Sequence, residues 1–95
     1  MAGGSLYFSP RSRADLKSLP REAREAVLGD LESLCAVGVL PPPARVKKLK
    51  GAGGAYRLRT GDYRSIFRIR DGRIYVIRIV PRKELERSLA GLWGG

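Results

Sequence analysis

Two short turns divide the C-terminal half of the chain into three segments of alternating sequence. Residues 55–60 precede Gly61-Asp62, and residues 63–70 precede Asp71-Gly72. Asp-Gly between two alternating runs is a strong signal for a two-residue β-hairpin turn. A third strand candidate, rich in β-branched residues, covers residues 73–80 and is ended by Pro81. The sequence therefore predicts a three-stranded antiparallel meander, which the rest of the chain must cover on at least one face.

Two helical segments are predicted before the meander. Ser9 and Pro10 mark a helix start, because serine is a common N-cap residue and proline suits the first helical position. A second helix is predicted after Pro20, with Gly38 as its stop and residues 41–43 as a proline connector. Its apolar positions recur with the i, i+3, i+4, i+7 spacing of an amphipathic helix; they are Ala23, Val27, Leu28, Leu31, Leu34 and Cys35.

The remaining segments complete an α+β fold. Residues 6–8 are apolar and predict an edge strand, whereas residues 84–93 predict a last short helix with Leu85, Leu89 and Leu92 on one side. We therefore predict an N-terminal strand, a helical hairpin packed on one face of a C-terminal antiparallel meander, and a short C-terminal helix. A chain of 95 residues fits one domain over residues 1–95, with residues 1–5 as a flexible lead.

The residue types present exclude several kinds of chemistry. The chain has no histidine and one cysteine, Cys35, so an intrachain disulfide, the usual transition-metal ligand sets and histidine-based catalysis are not expected. No cofactor is expected. Cys35 lies in an apolar helical pattern and is predicted to be a buried thiol in a reducing compartment. A membrane span and a signal peptide are both not expected, so the predicted location is cytoplasmic.

The positive charge lies in one part of the sequence. The net charge is +10, yet residues 1–40 contain five Lys or Arg and five Asp or Glu. Residues 41–95 contain fourteen basic and four acidic residues and therefore carry the whole imbalance. This asymmetry predicts a polyanionic partner, most often a nucleic acid.

Strand alternation divides the predicted meander into an apolar face and a basic face. The row predicted to pack on the helices comprises Tyr56, Leu58, Tyr63, Phe67, Ile69, Tyr75, Ile77 and Ile79. The opposite row comprises Arg57, Arg59, Arg64, Ile66, Arg68, Arg70, Ile74, Val76, Arg78 and Val80. Like charges across a sheet repel by a few tenths to about 1 kcal/mol per pair, which favours a polyanion partner for this face. The alternative is a solvated face whose arginine stems cover apolar surface.

The strand motifs resemble a known family. VKKLKG, then YRLRTGDYRSIFRI and IYVIRIVPRKE, are similar to the RelE/ParE superfamily of toxins from type II toxin–antitoxin pairs, with a pattern nearest to archaeal RelE-like toxins. The resemblance spans residues 7–89. It implies a RelE-like fold and a small acidic, RelB-like antitoxin that wraps and neutralises the toxin. RelE-like members cut messenger RNA in the ribosomal decoding site, and ParE-like members inhibit DNA gyrase without nuclease residues. A third alternative is a non-toxic paralogue that binds RNA or antitoxin.

The resemblance also implies the site residues. The catalytic positions carried over are Arg57, Arg59, Arg64 and Arg82. Arg64 and Arg82 are expected to stabilise charge on the phosphate during attack by the ribose 2′-OH, because a planar guanidinium grips phosphate oxygens in pairs. The reaction is metal-independent and leaves a cyclic phosphate and a 5′-OH. At the first two positions bacterial members typically carry lysine and archaeal members arginine.

Two departures from the family pattern concern proton transfer. Pro81 stands where many relatives have histidine, and Glu86 or Ser88 stands where they have tyrosine. Arginine is a poor general base, since its pKa is about 12 or above. Proton transfer is therefore expected to fall to a ribosomal group, to water or to a nearby lysine, and free RNA is expected to be a poor substrate.

A wider basic set is predicted to contact RNA. It comprises Lys47, Lys48, Lys50, Arg68, Arg78 and Lys83. The alternative for the three lysines before the meander is a solvent-exposed charged segment without a ligand, which fits the sequence nearly as well. Arg68, Arg70 and Arg73 also fit a solvent-exposed surface without a binding role. Tyr56, Tyr63 and Phe67 can stack on bases, but their alternation phase assigns them to the core. Trp93 fits either the core or an antitoxin interface.

Overall fold

The computed structural model describes residues 6–37, 45–49 and 53–88. The elements in this part of the chain, in order, are β1 (Leu6–Phe8), α1 (Pro10–Ser18), α2 (Arg21–Val37), β2 (Val46–Lys48), β3 (Tyr56–Thr60), β4 (Tyr63–Arg70), β5 (Arg73–Pro81) and α3 (Arg82–Ser88). The predicted α+β fold is confirmed. The predictions for residues 1–5, Gly38, residues 41–43, Leu89, Leu92 and Trp93 lie outside the described residues.

The five strands form one sheet in the order β1-β5-β4-β3-β2. β3, β4 and β5 are the predicted antiparallel meander. β1 pairs parallel with β5, from Leu6 opposite Ile74 to Phe8 opposite Val76, so the sheet is mixed where the sequence predicted an antiparallel one. The other edge, β2, was not predicted. It has only three residues, of which two are lysines, and lysine is depleted in strands but common on short edge strands.

The turn between β4 and β5 is the predicted two-residue hairpin turn. Asp71 has φ 54° and Gly72 has φ 75°, and positive φ at both central residues defines the type I′ turn. The backbone twist of a type I′ turn matches the twist of the two strands that it joins. This match explains why Asp-Gly predicted the turn correctly.

A β-bulge interrupts the alternation of β5. Ile66 lies opposite Arg78 while Phe67 lies opposite Val76, so Ile77 is an extra residue in the ladder. On the N-terminal side of the bulge, the side chains of β5 that face the helices are therefore the opposite set to the one that unbroken alternation predicts.

The phase predicted for the first half of β5 was therefore wrong. Ile74 and Val76 lie in the helix-packed core, whereas Tyr75 lies on the opposite face. Ile77 packs against the apolar cluster of that opposite face. Ile79, beyond the bulge, faces the helices as predicted.

Two apolar clusters lie on the two faces of the sheet. The larger one packs between the sheet and the first two helices and contains Leu19, Val27, Leu31, Leu34, Val46, Leu58, Phe67, Ile74, Val76 and Ile79. The smaller one lies on the opposite face and contains Leu49, Ala55, Ile66, Val80 and Leu85. Leu85 seats α3 on that face. The core assignment of Tyr56, Tyr63 and Phe67 is confirmed, with the rings of Tyr56 and Phe67 stacked at 5.6 Å.

Polar side chains of α1 complete the edge of β5 beyond the end of β1. The N-cap residue Ser9 accepts a hydrogen bond from the Ser12 N–H and donates its hydroxyl to the Ile77 carbonyl at 2.9 Å. The Ser12 hydroxyl donates to the Val76 carbonyl at 3.0 Å. Asp15 accepts from the Ile79 N–H at 3.0 Å. Because buried backbone groups must be paired, these contacts substitute for a longer β1.

A pair of buried serines gives a test of this packing. Ser12 and Ser65 are both 0% exposed, but the Ser65 hydroxyl has no hydrogen-bond partner in the described structure. Replacing Ser65 with alanine removes an unpaired hydroxyl and is expected to leave the free energy of unfolding unchanged or raise it by up to about 1 kcal/mol. Ser12→Ala loses paired hydrogen bonds and is expected to lower it by about 1–2 kcal/mol. Urea unfolding of both variants measures the difference; equal losses would contradict it.

Candidate nucleic-acid interface

The structure brings together the four arginines that the sequence singled out. Arg59 and Arg64 are register partners on β3 and β4, and Arg57 lies on the same face, opposite Ile66. This face is turned away from the first two helices. Arg82 opens α3, and its N–H donates to the Asp62 carbonyl at 2.8 Å. That hydrogen bond ties the start of α3 to the turn between β3 and β4.

Arg64 is the fixed member of this group, which we call the four-arginine site. Its side chain is buried, with 7% of the residue exposed. Nη1 donates to the carbonyls of Gly61 and Tyr63, both at 2.9 Å. These bonds set the plane of the guanidinium. Its Nε and Nη2 have no partner in the part of the chain that the structure describes, so they remain as donors for a ligand.

The charge of the four-arginine site is not neutralised by the described residues. Burial lowers the pKa of the Arg64 guanidinium, and the charges of Arg57, Arg59 and Arg82 lower it further, against a weaker opposing effect of Asp62. The ion pairs within residues 6–37, 45–49 and 53–88 involve other arginines, namely Arg21, Arg45 and Arg78. A buried cation among like charges is costly without an anion, so this arrangement indicates an anion-binding site.

A hydrogen-bonded network holds β3 against α2. Asp30 accepts from the Thr60 hydroxyl at 2.8 Å and from Arg45 Nη1 at 3.0 Å. The Arg45 carbonyl in turn accepts from the Arg59 N–H at 3.0 Å. The backbone that carries Arg59 is therefore anchored to the helix layer, which limits the freedom of the site.

The wider basic set does not gather at one place. Lys47 lies opposite Arg57 and extends the arginine row onto β2, whereas Lys48 lies opposite Tyr56 at the exposed edge. Lys83 is exposed on α3 beside Arg82, and Lys50 lies outside the described residues.

The other two members of the wider set have different surroundings. Arg68 lies further along β4, opposite Tyr75. Arg78 donates to Asp15 through Nε at 2.7 Å and Nη2 at 3.3 Å, and this hydrogen bond raises the pKa of Arg78. The Arg78 guanidinium is thus engaged with α1. The roles of these residues in RNA binding stay predictions.

Proton transfer has few candidate groups here. Pro81 ends β5 opposite Tyr63 and offers no acid or base. The side chains of Glu86 and Ser88 lie outside the described residues. Lys47 is the lysine on the arginine row and carries an exposed amine. The described residues therefore present guanidinium donors for an anion more clearly than acid–base groups.

Sequence reasoning missed an aromatic pair on the same face. The rings of Tyr7 and Tyr75 stack at 5.1 Å with an interplanar angle of 16°. Unbroken alternation along β5 assigns Tyr75 to the core. Residues 74–80 are apolar at both odd and even positions, apart from Arg78, and this pattern is the one sign in the sequence that the alternation of the strand is interrupted.

Metal-binding clusters and membrane-spanning helices are absent from the described residues. In residues 6–37, 45–49 and 53–88 no cluster of three or more Cys, Asp or Glu side chains could hold a metal ion. No helix in these ranges has the length and hydrophobicity that crossing a membrane requires. Cys35 is half-buried in α2, and burial together with the charge of Glu32 raises the pKa of its thiol.

The comparison with protein families identifies the chain. A family model described as the ParE toxin of type II toxin–antitoxin systems, parDE, matches residues 6–86. The chain therefore belongs to the ParE toxin family of type II toxin–antitoxin systems, and the resemblance to the RelE/ParE superfamily is confirmed. A search of curated proteins gave no match.

Solved structures of toxin–antitoxin complexes share the fold. The RelBE2 complex of Mycobacterium tuberculosis is 27% identical with a TM-score of 0.72, over 86% of this chain and 94% of that one. The RelE–RelB complex of Pyrococcus horikoshii OT3 is 28% identical with a TM-score of 0.69, over 84% and 96%. The RelB–RelE complex of Methanococcus jannaschii is 26% identical with a TM-score of 0.70, over 85% and 95%.

Proposed function

We propose that this toxin is a ribosome-dependent endoribonuclease that cleaves messenger RNA in the decoding site and thereby inhibits translation. The observation that carries the proposal is the buried, hydrogen-bonded Arg64 among three further arginines, none of which forms an ion pair with a carboxylate of the described residues. The similarity to RelE proteins at 26–28% identity supports it. The proposed location is the cytoplasm, where translating ribosomes are found.

In the proposed reaction the 2′-oxygen of a ribose attacks the adjacent phosphorus. A new bond forms between this oxygen and phosphorus, the bond to the 5′-oxygen breaks, and the products are a cyclic phosphate and a 5′-OH. Arg64 and Arg82 bind the non-bridging oxygens, whose negative charge grows in the transition state. Preorganised donors of this kind commonly supply the largest part of catalysis.

Two protons must also move. One leaves the 2′-OH, and one reaches the departing 5′-oxygen. Arginines stay protonated at neutral pH, so Arg57 and Arg59 act in this proposal as charge, not as a base. The candidate acids and bases in this proposal are Lys47, Lys48, Lys50, water and groups of the ribosome. The proposal therefore includes a requirement for the ribosome to position the substrate.

The partner proposed for the free toxin is an acidic antitoxin of the RelB type. The three similar structures were solved as complexes of RelE with RelB. The net charge of +10 and the four-arginine site, which forms no ion pair within the described residues, provide a complementary surface.

The second candidate function is inhibition of DNA gyrase, because the family model that matches the chain is named for ParE. A bacterial host expressing the chain from a tightly controlled promoter distinguishes the two. Primer extension on abundant transcripts and a DNA-damage reporter are read in the same culture. Cleaved transcripts with a silent reporter are expected. Intact transcripts with an induced reporter would show that gyrase is the target, and neither signal would show a non-toxic paralogue.

A further inference from the structure

A second potential binding surface lies on the same sheet face as the four-arginine site, towards the hairpin between β4 and β5. Tyr7 on edge strand β1 and Tyr75 on β5 are register partners, and their rings are stacked. Tyr7 is 45% exposed and has no strand beyond it, because β1 is the sheet edge. The neighbours Leu6 and Phe8 pack into the helix-side core, which directs Tyr7 to the opposite face.

Arginine side chains extend this aromatic pair onto the next strand. Arg68 is the register partner of Tyr75, and Arg70 pairs with Arg73 at the end of the hairpin. No carboxylate of the described residues lies within 4.0 Å of these three guanidinium groups. The acid nearest in sequence is Asp71, which lies in the exposed hairpin turn. The surface therefore combines an exposed ring with positive charge.

A cavity of about 460 Å³ adjoins these side chains, lined by Gly53, Gly54, Arg68, Ile69, Arg70 and Tyr75. The Gly53–Gly54 turn forms one wall. Gly53 has φ +61°, and a Cβ atom at this position would lie 3.3 Å from Nη2 of Arg68. The turn thus approaches the guanidinium closely, and the cavity falls within the typical volume range of small-ligand sites.

We propose that Tyr7, Tyr75 and Arg68 form a subsite for single-stranded RNA. Tyr75 covers one face of the Tyr7 ring, so an unpaired base stacks on the other face, at the sheet edge, and Arg68, two strands further in, binds a phosphate further along the same RNA strand. Proteins that bind single-stranded nucleic acid combine aromatic rings with basic side chains. The rings stack on the bases, and the basic side chains bind the charged phosphates. The inference rests on the proposed function, because the same RNA strand would run on to the four-arginine site. Arg64 and Arg68 are four residues apart on β4, which corresponds to roughly 13 Å.

An acidic peptide is the competing occupant and fits the surface less well. The face of an aromatic ring carries the negative part of its quadrupole, so carboxylates gain nothing from the Tyr7 ring. A peptide of this kind would use the arginines alone. Single-stranded RNA uses the ring through a base and the guanidinium through a phosphate, which accounts for their place on one face of three neighbouring strands.

Fluorescence anisotropy with a labelled, unstructured RNA oligonucleotide tests the subsite without requiring cleavage. Tyr7→Leu keeps an apolar side chain on the edge strand but removes the stacking surface, and is expected to weaken binding roughly 5- to 100-fold. Tyr7→Phe is expected to bind as the parent does. Arg68→Gln is expected to weaken binding and to reduce the slope of log affinity against log salt by about 0.7. Arg11→Gln, which removes an exposed charge on α1, is the matched control and is expected to change affinity little.

Two further probes decide between occupants. An oligonucleotide with abasic sites should bind Tyr7→Leu and the parent equally, since it offers no base to stack. Equal RNA binding by Tyr7→Leu and the parent would overturn the subsite, and weaker binding of a poly-glutamate peptide by Tyr7→Leu would assign the surface to peptides. Circular dichroism melts establish that the variants are folded. If the protein does not cleave RNA but its RNA binding depends on Tyr7, the proposed nuclease function is wrong and the subsite stands. If it cleaves RNA but its RNA binding does not depend on Tyr7, the subsite alone is wrong.

Discussion

Replacing Arg64 with alanine is expected to reduce ribosome-dependent cleavage by about 10²–10³-fold, the cost of removing one preorganised donor from a developing oxyanion. Arg64 is the buried residue whose guanidinium is fixed by the Gly61 and Tyr63 carbonyls. A fixed donor stabilises the transition state without reorganising at the moment of reaction. The rate is measured by single-turnover cleavage on programmed ribosomes.

The effect of Arg64→Ala on folding is expected to be small. The substitution removes two hydrogen bonds to carbonyls but also relieves the repulsion from three neighbouring arginines. A circular dichroism melt therefore accompanies the rate measurement. Arg64→Lys retains a charge but not the paired donor geometry, and is expected to remain well below the parent.

Arg82→Ala is the complementary change. Arg82 is exposed, and its structural hydrogen bond to the Asp62 carbonyl uses the backbone N–H, which alanine retains. Arg82→Ala is expected to reduce the cleavage rate by a factor similar to that of Arg64→Ala and to leave the melting temperature unchanged. Arg11→Ala serves as the control for a lost charge. Full activity in both Arg64→Ala and Arg82→Ala would require the arginine-site mechanism to be abandoned.

The largest effect on stability is expected at Asp15. Its carboxylate accepts from Arg78 at 2.7 Å and from the Ile79 N–H at 3.0 Å. The two charged side chains are only 23% and 16% exposed. Asp15→Ala leaves a largely buried guanidinium and a backbone donor unpaired, which is expected to lower the free energy of unfolding by about 2–4 kcal/mol.

Thermal unfolding measures this loss directly. For a chain of this size, the expected change corresponds to a fall in Tm of at least about 8 °C. Glu25→Ala is the matched control, because it breaks an ion pair with Arg21 whose side chains are 82% and 65% exposed. Glu25→Ala is expected to change the free energy of unfolding by no more than about 0.5 kcal/mol. Similar losses for the two variants would contradict the role given to Asp15 at the edge of β5.

The meander and the arginine face could be predicted from the sequence because their signals are local. Asp71-Gly72 demands a type I′ turn, and strict alternation places Arg57, Arg59 and Arg64 on one face. All three precede the bulge at Ile77, so the phase of their strands was unaffected by it. The position of Arg82 followed from the family resemblance.

The parts that were not predicted depend on contacts between distant segments. The bulge in β5 reflects how this strand pairs with β4 while α1 occupies its outer edge. The parallel pairing of β1 is likewise a long-range choice that three apolar residues do not encode. β2 is short and lysine-rich and is formed by pairing with β3. These contacts determine the position of Tyr75, which is why the aromatic pair with Tyr7 emerged only in the structure.

Primer extension on a message incubated with the toxin in a translation extract, with ribosomes present or removed, tests whether this toxin is a ribosome-dependent endoribonuclease. We expect cuts within translated codons that require ribosomes, that leave fragments with a 5′-OH and that are lost with Arg82→Ala. Transcripts that stay intact on translating ribosomes, or that are cut equally without them, would contradict the proposed function.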